Sequence, residues 1–449
     1  MKQLQQLLSN YTYLLPITGL LYAAILMVGQ LTIVRDNFVL LLSWIIALHI
    51  LYALGYLQLH KLTIKHLLIV AAVLRIFMAC TIPTLSDDVY RFIWDGKLLQ
   101  LGYNPMLSTP NAYIQLHATD VMQAPYYNTL HSLINHPQFY TCYPPLNQLI
   151  FWVSATLGGS SITASIIIIK VIIAVIDVLG IYIGYLLLVK LRLNGNLIYL
   201  YACNPMVIIE GSGNAHFEVV QVALVLMAWY YIYTKQITLS AISIAMAVLT
   251  KLIPILLIPF MVRYVGLKKG IQLLLITAVI CIAAFVPFFY NNGLQGFMQS
   301  LDLYVRNFEF NASIYNIAKQ IGWYIKGYNY ISVIGPVLML LFVLCYTIIY
   351  FKTKLYQWSA MVHSCLLVLT IYYALATTVH PWYIINLVPL AILSGKHYPI
   401  LWLAAASLSY NAYSNASFTE SVPLLIIEYS IVIAAIIYSY KAKRNIIPM

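Results

Sequence analysis

Long apolar stretches alternate with short polar segments along most of the chain. A helix of about 20 apolar residues crosses about 30 Å of hydrocarbon, and most of these stretches reach that length. The pattern therefore predicts an all-α, polytopic transmembrane helical bundle. The predicted spans cover residues 13–34, 38–58, 66–85, 162–189, 197–210, 216–234, 270–290, 331–351, 358–378, 382–394, 399–414 and 421–440.

Two further apolar stretches, 144–158 and 237–262, fit this pattern less simply. The first is short, and the second is interrupted by Lys251, Pro254 and Pro259. Broken helices at membrane depth are stable only where they are buried in protein or line a cavity. With these stretches included as short or broken spans, we expect about 12–13 spans in all.

Two longer polar segments, 86–143 and 291–330, separate groups of spans. In the first segment, apolar residues recur at helical spacing and charged residues occupy the opposite face. The apolar positions are Val89, Phe92, Ile93, Gly96 and Leu99, and the charged ones are Asp88, Arg91 and Asp95. This spacing predicts an amphipathic helix in the membrane interface, ended by Gly102 and the Asn104-Pro105 pair.

The composition excludes a soluble protein. The chain is 62% hydrophobic and 8% charged, and its mean hydropathy is +0.86, outside the range of soluble domains. The net charge of +12 does not indicate nucleic acid as a partner, because the basic residues are spread over short segments between spans, as in membrane topology. We predict a multi-pass membrane protein that contacts membrane lipids.

Basic and acidic residues sort to opposite sides of the predicted bundle. With the N-terminus in the cytoplasm, the Lys and Arg residues between spans fall mainly inside, as their orienting bias requires. The acids that then lie outside are Asp36, Asp87, Asp88, Asp95, Asp120, Glu210, Glu218, Asp302, Glu309 and Glu420. Acids contribute little to orientation, so their one-sided distribution favours an extracytoplasmic active site.

This topology divides one integral-membrane domain, 1–449, into five parts. They are the N-terminal spans (1–85), a first outer catalytic loop (86–143), core spans with broken helices (144–290), a second outer loop (291–330) and the C-terminal spans (331–449).

Asp87 and Asp88 stand where an apolar stretch ends and the first outer loop begins. The whole chain has only 12 acids, and a carboxylate at a membrane boundary is a functional candidate by default. A carboxylate kept ionised by Arg91 suits a general base for a hydroxyl acceptor. The alternative is structural, because acids stabilise a helix N-terminus and Arg91 has the spacing of a helix ion pair with both Asp87 and Asp95.

The run from Glu210 to Glu218 is unusually polar for a turn between two apolar stretches. It contains two acids, His216, Asn214 and two glycines. One interpretation is a solvated hairpin in which glycine supplies a positive φ. The other is a ligand-facing turn whose His216 and Glu218 contact a phosphate or a sugar.

His380, Trp382 and Tyr383 lie together at another outer boundary. Interfacial Trp and Tyr are common membrane anchors, but an aromatic ring also stacks on a sugar face. His380 precedes a helix-starting proline, Pro381, and is less readily explained as an anchor.

Lys251 lies between two short apolar halves and has two interpretations. Its side chain either snorkels to the interface or holds a lipid phosphate as a fixed cation. Arg306, in the second outer loop, is the competing candidate for that phosphate. No Gly-rich phosphate loop or paired-His metal motif occurs. No cofactor is predicted, and a divalent metal, although two acids could hold one, is not indicated.

The order of several motifs resembles that of GT-C-fold membrane glycosyltransferases, and most nearly that of bacterial mannosyltransferase-like members that use polyprenyl-phosphate sugars. The resemblance spans about 80–385 and begins in Ser86-Asp87-Asp88-Val89-Tyr90-Arg91-Phe92-Ile93-Trp94-Asp95-Gly96. The later motifs are Gly102-Tyr103-Asn104-Pro105, Tyr143-Pro144-Pro145, Asn204-Pro205 with Glu210, Gly213-Asn214-Ala215-His216, Lys251-Leu252-Ile253-Pro254 and His380-Pro381-Trp382-Tyr383. In relatives an acid often follows the histidine of the second motif, whereas here Phe217 comes before Glu218.

The resemblance implies an inverting hexosyltransferase in a bacterial cytoplasmic membrane, with its active site facing outward. Its donor is expected to be a polyprenyl-phosphate hexose, in particular mannose, and its acceptor a lipid or glycan hydroxyl. Asp87 or Asp88 is the expected base. The expected substrate-binding residues are Arg91, Asp95, Tyr143, Glu210, Asn214, His216, Glu218, Lys251, Arg306, His380, Trp382 and Tyr383.

The alternative function is a polytopic transporter or lipid flippase, which broken helices suit. Transporters place their polar sites near the bilayer midplane, whereas the acids here crowd one predicted surface.

Overall fold

The computed structural model describes residues 13–116, 125–354, 356–415 and 417–441. Asp120, one of the acids expected outside, falls beyond these ranges. Within them the chain is helical, and the β-structure consists of one isolated parallel bridge, Phe310 with Thr378. The prediction of an all-α helical bundle is confirmed.

The helices follow the predicted apolar stretches closely. In chain order they are α1 (Leu14–Thr32), α2 (Phe38–Leu57), α3 (Ile64–Ala79), α4 (Asp88–Gln100), α5 (Pro110–Leu116), α6 (Pro125–Ser132), α7 (Pro145–Gly158), α8 (Ile162–Lys190), α9 (Tyr199–Ala202), α10 (Pro205–Ile208), α11 (Glu218–Tyr233), α12 (Ile237–Val248), α13 (Ile258–Val265), α14 (Leu267–Phe289), α15 (Gly293–Arg306), α16 (Ile314–Lys326), α17 (Ile331–Lys352), α18 (Trp358–Leu375), α19 (Val388–Ser394), α20 (Tyr398–Ala405) and α21 (Val422–Lys441).

The number of unbroken helices long enough to cross a membrane is smaller than the number of predicted spans. Among the described residues, seven helices are long and apolar enough to cross a membrane, or eight if a bent pair, α10 with α11, counts as one span. The predicted spans 197–210, 382–394 and 399–414 are instead broken into α-helical, 3₁₀ and π-helical pieces. Local apolarity does not register such breaks, which is why about 12–13 spans were expected.

Proline explains two of these breaks. The Asn204-Pro205 pair separates α9 from α10, and the Asn204 side chain accepts a hydrogen bond from Met206 N at 3.0 Å. Pro381 opens a 3₁₀ segment, Pro381–Leu387, ahead of α19. Proline lacks an N–H and suits the first turn of a helix, so each of these helical pieces begins at its proline.

The described chain forms two compact units. Of the described residues, unit 1 comprises those within 1–85, 173–233 and 380–449, and unit 2 comprises those within 86–172 and 234–379. The long helix α8 contributes to both. The prediction of a single membrane domain with five parts stays a prediction.

The interior of unit 1 contains a buried ion pair beside the α9–α10 break. Arg75 Nε lies 2.5 Å from Asp177 Oδ2, with both side chains almost fully buried. Arg75 also donates to the carbonyl of Ala202, at the end of α9, and Tyr201 donates to Asp177. A buried charge is tolerated when it is paired and hydrogen-bonded, and this pair also satisfies a carbonyl at the helix end.

In unit 2, α4 packs tightly against α7. A side chain at Gly96 would collide with the carbonyl of Phe151, so the two backbones can approach closely because this position is glycine. Helix α4 begins and ends near its predicted bounds. Its charged face is not open to solvent, however, because Arg91 and Asp95 are buried along with Val89 and Phe92. The expected interfacial helix is therefore packed within the unit on both faces.

Candidate functional site

Asp87 and Asp88 stand at the start of α4. Asp87 is the residue before the helix and Asp88 is its first residue, with the Asp88 backbone N–H donating to Ser86 Oγ at 3.3 Å. Both aspartates are partly exposed, unlike the rest of the helix face around Asp95. The helix N-terminus favours negative charge here, and neither aspartate is fully enclosed by the protein.

Tyr143 joins this pair across the unit. Its hydroxyl donates to Asp88 Oδ2 at 3.1 Å, and its ring packs edge-on against Phe92 and Phe151, at 4.8 and 5.6 Å between centroids. Burial, and then the nearby Asp88 carboxylate, raise the pKa of Tyr143 well above its ordinary value. Tyr143 therefore remains a neutral hydrogen-bond donor to Asp88.

Asp95 is the centre of a buried hydrogen-bond network, which we call the Asp95 hub: Arg91, Asp95, Thr141 and Gln148. Arg91 Nε lies 2.8 Å from Asp95 Oδ1, confirming the predicted i, i+4 pair, and Arg91 Nη1 donates to the Phe139 carbonyl at 2.8 Å. Asp95 Oδ2 accepts from Thr141 Oγ1 at 2.6 Å and from Gln148 Nε2 at 3.0 Å. The hub ties the 139–143 segment to α4.

Lys251 lies in the link between α12 and the 3₁₀ segment Ile253–Leu257, and α7 fixes that link. Leu146 N donates to Leu249 O, and Asn147 Nδ2 donates to Thr250 O, each at 3.0 Å. Because Leu146 and Asn147 come directly after Tyr143-Pro144-Pro145, these bonds bring the Lys251 backbone next to that motif.

Cys142 precedes Tyr143, and several charged groups affect the pKa of its thiol. Burial raises the pKa of its thiol, a hydrogen bond with Tyr304 and the charge of Lys251 act to lower it, Asp88 acts to raise it and Arg91 to lower it. Cys142 Sγ lies 3.7 Å from the Tyr304 hydroxyl. The charges of Lys251, Arg91 and Asp88 and the Tyr304 hydroxyl therefore all act on this one thiol of unit 2.

Arg306 is not part of this group of charges. It ends α15 in an ion pair with Asp302 at 2.8 Å, and both side chains are more than half exposed. Tyr304, two residues earlier, points to Cys142 instead. Residues two apart lie on nearly opposite sides of a helix, so α15 cannot present both of them to the same place.

In unit 1, the turn that contains Glu210 is wholly buried. A π-helical turn, Ile209–Gly213, leads into α11 through a bend of 110°. Gly211 and Gly213 approach the side chains of Val219 and Met78, and the positive φ falls on Ala215. The solvated-hairpin interpretation is therefore wrong, and the glycines serve close packing.

Glu210 is the centre of the unit 1 network. Tyr410 donates a short hydrogen bond to its Oε1, His216 Nε2 lies 3.2 Å from its Oε2, and Asn214 Nδ2 lies 3.5 Å from its Oε1. Asn214 Oδ1 accepts in turn from the backbone N–H groups of Thr84 and Leu85, at 3.2 and 3.1 Å. These described contacts of Glu210, Asn214 and His216 are internal to the protein, and substrate binding by them stays a prediction.

The predicted aromatic group joins the same network. His216 and His380 both stack on Trp382, with centroids 3.8 and 4.3 Å away, and Tyr383 meets His380 edge-on at 5.3 Å. Trp382 is only 7% exposed. It packs as part of the protein interior, and Glu218, at the start of α11, is buried as well.

Sequence reasoning missed several partners of the candidate residues. Thr141 and Gln148 complete the Asp95 hub, Tyr304 contacts Cys142, and Tyr410 binds Glu210 from 200 positions away. Gln148 in an apolar stretch was a visible signal. The others were single hydroxyl residues among many. In the described ranges, no three or more His, Cys, Asp and Glu side chains gather as a metal site.

One comparison with known proteins identifies a family. Residues 5–266 match the family described as "Alpha-(1->6)-mannopyranosyltransferase, N-terminal domain". The match covers more than half of the chain and includes the aspartate pair, Tyr143, the Glu210 turn and Lys251. No curated protein and no solved structure matches the chain.

Proposed function

The chain belongs to the alpha-(1->6)-mannopyranosyltransferase family, and on that premise we propose that it transfers mannose from a polyprenyl-phosphate donor to a hydroxyl of a lipid or glycan acceptor. Transfer takes place with inversion, at the extracytoplasmic face. The observation that carries the proposal is a pair of partly exposed carboxylates, Asp87 and Asp88, in the same compact unit as Lys251, whose charge acts with that of Asp88 on Cys142.

The reaction is a single displacement at the anomeric carbon. A carboxylate of the pair takes the acceptor's hydroxyl proton while that oxygen bonds to C1. The bond from C1 to the phosphate oxygen breaks, and its electron pair leaves with the polyprenyl phosphate. The two-step retaining scheme would instead pass through a sugar covalently attached to a carboxylate. Inversion that yields an α-linked product requires a β-linked donor.

Lys251 is the proposed contact for the departing phosphate. It is partly exposed and close enough to Cys142 to act on that thiol together with Asp88 and Arg91. A fixed cation lowers the barrier where negative charge develops. Arg306 is the weaker candidate, because its guanidinium is paired with Asp302 on an exposed helix end.

A transfer assay tests the reaction. The full-length protein, reconstituted in lipid, receives radiolabelled polyprenyl-phosphate mannose as the β or the α anomer, with a synthetic α-(1→6)-linked mannoside as acceptor. We expect label in the acceptor from the β anomer only and an α linkage in the product. Transfer from GDP-mannose with no lipid donor, or a β-linked product, would contradict the donor or the inversion.

Cysteine labelling tests the orientation. In a cysteine-free background, Asn307→Cys in the second predicted outer loop and Lys268→Cys in the first turn of α14 each place a cysteine at an exposed position. An impermeant maleimide should label the first variant in intact cells and the second only after lysis. Labelling in the reverse order would put the site on the cytoplasmic side.

The alternative function, a transporter or flippase, is favoured by one observation. The helices α10 and α11 form a broken, sharply bent pair, a feature found at transport sites. Movement of a fluorescent polyprenyl phosphate across vesicles without sugar transfer would support it. Sugar transfer without movement of the polyprenyl phosphate from one leaflet of the vesicle membrane to the other would exclude it.

A further inference from the structure

We infer that Tyr143 is a positioning residue that makes Asp88, rather than Asp87, the general base, and that the Asp95 hub holds Tyr143 in place. The inference rests on the proposed function and changes the expected role of Tyr143, Arg91 and Asp95 from substrate contact to support of the base.

The first step is the bond between Tyr143 and Asp88. The phenol donates to Oδ2 at 3.1 Å, so that oxygen is occupied and the carboxylate plane is oriented. Oδ1 is the oxygen left to accept the proton of the acceptor hydroxyl. A base oriented by a third group is a recurring arrangement in catalysis.

The second step is the rigidity of the phenol. Phe92 and Phe151, themselves stacked at 4.6 Å between centroids, both meet the Tyr143 ring edge-on. Phe92 lies on α4, one turn after Asp88. The helix that carries the base therefore also holds the ring that orients it, and the aromatic contacts do not involve the hydroxyl.

The third step is the hub. Thr141 and Gln148 bind Asp95 Oδ2, Gln148 also reaches the Tyr143 carbonyl at 3.3 Å, and Arg91 binds the Phe139 carbonyl. The segment 139–143 is thus fixed on α4 on both sides of Cys142. Asp95 is fully buried and Arg91 is 9% exposed, which leaves them little contact with a substrate.

The test is a separation of kcat from KM. Tyr143→Phe keeps the ring contacts and removes the hydroxyl, so kcat should fall about 10–100-fold. The KM for the donor and the KM for the acceptor should each stay within about two-fold of wild type. In an Asp88→Asn background, Tyr143→Phe should cause no further loss, because it acts through Asp88. Tyr52→Phe, which removes a buried hydroxyl that donates to Leu200 O in unit 1, is the matched control and should keep kcat.

Thr141→Val is a second variant that does not touch Asp88. It should lower kcat a few-fold with unchanged KM, about as expected for one lost hydrogen bond in a supporting shell. It keeps the test decisive if Tyr143→Phe does not fold.

Three outcomes overturn the inference and leave the proposed function standing: a raised KM with normal kcat for Tyr143→Phe, no kinetic change in either supporting variant, or full loss in Asp87→Asn with activity kept in Asp88→Asn. If both aspartate variants transfer mannose at wild-type rates, the proposed function itself fails.

Discussion

Each unit is built around a buried carboxylate with several hydrogen-bond partners, but the two networks end differently. Asp95 in unit 2 and Glu210 in unit 1 are both fully buried. The network of Asp95 leads through Tyr143 to the partly exposed Asp88. The hydrogen bonds of Glu210 lead to Tyr410 and, through Asn214, to backbone N–H groups. Its contact with buried His216 continues by ring stacking through Trp382 to the partly exposed His380.

This difference separates accessible from enclosed acids. Burying a carboxylate is costly unless hydrogen bonds compensate it, and both networks supply those bonds. A general base must also be reached by the proton that it abstracts. Asp87 and Asp88 meet that condition, whereas Glu210 and Glu218 are enclosed where the chain bends between α10 and α11. Polar density in the sequence did not separate the two cases.

The largest loss of transfer rate is expected at Asp88, and it tests the comparison between the Asp88 and Glu210 networks. Asp88→Asn should leave the protein folded and lower the transfer rate about 10²–10⁴-fold, the usual cost of losing a general base. Glu210→Gln should mainly lower stability, so its rate per folded molecule should stay near wild type. Turnover and thermal melting of both variants in detergent check this, and the reverse assignment of effects would refute the comparison.

The next effect concerns the donor. Lys251→Met should weaken binding of polyprenyl-phosphate mannose about 10–100-fold, because a charge-assisted contact to phosphate is lost. Arg306→Met is the matched control and should bind normally, since Arg306 pairs with Asp302 at an exposed helix end. A snorkelling Lys251 predicts equal affinity for both variants. Fluorescence or calorimetric titration with the donor decides between them.

Tyr410→Phe tests the supporting network of unit 1. It leaves Glu210, which is fully buried, without the hydrogen bond that the Tyr410 hydroxyl donates. The free energy of unfolding should fall by about 1–3 kcal/mol, with little change in rate per folded molecule. Denaturation monitored alongside turnover checks both parts. A rate loss without destabilisation would assign Glu210 to the chemistry after all.

The smallest effect concerns Glu309, an acid of unit 2 outside the spans. Burial alone raises its pKa, but hydrogen bonds from Lys319, Tyr315 and Asn329 outweigh it and lower the pKa below 4.5. Because the folded-state pKa is the lower one, this stabilisation is present above about pH 4.5 and lost as the pH falls through the folded value. Glu309→Gln should flatten stability between pH 5 and 3 relative to Asp302→Asn, a control at an exposed pair. Melting curves across about this pH range provide the measurement.

The sequence by itself determined the all-helical class and the long continuous helices. The stretches at 13–34 and 331–351 became α1 and α17 because length and apolarity decide whether a helix can cross a bilayer. The α4 helix and its Arg91–Asp95 pair were predictable from spacing, since i, i+4 contacts are local. Pro381 was predicted to start a helical segment for the same local reason, whereas the break at Pro205 interrupts the predicted span 197–210. The order of motifs was enough to indicate the family that residues 5–266 match.

Only the tertiary structure decided which of these acids is enclosed. Glu210 meets Tyr410 from 200 positions along the chain, and Asp95 meets Thr141 and Gln148 about 50 positions away. Such contacts depend on how helices pack, and helical periodicity describes only neighbours within about a turn. Burial of the 210–218 turn and exposure of Arg306 follow from the same packing, because a residue's environment is set by what other segments cover it.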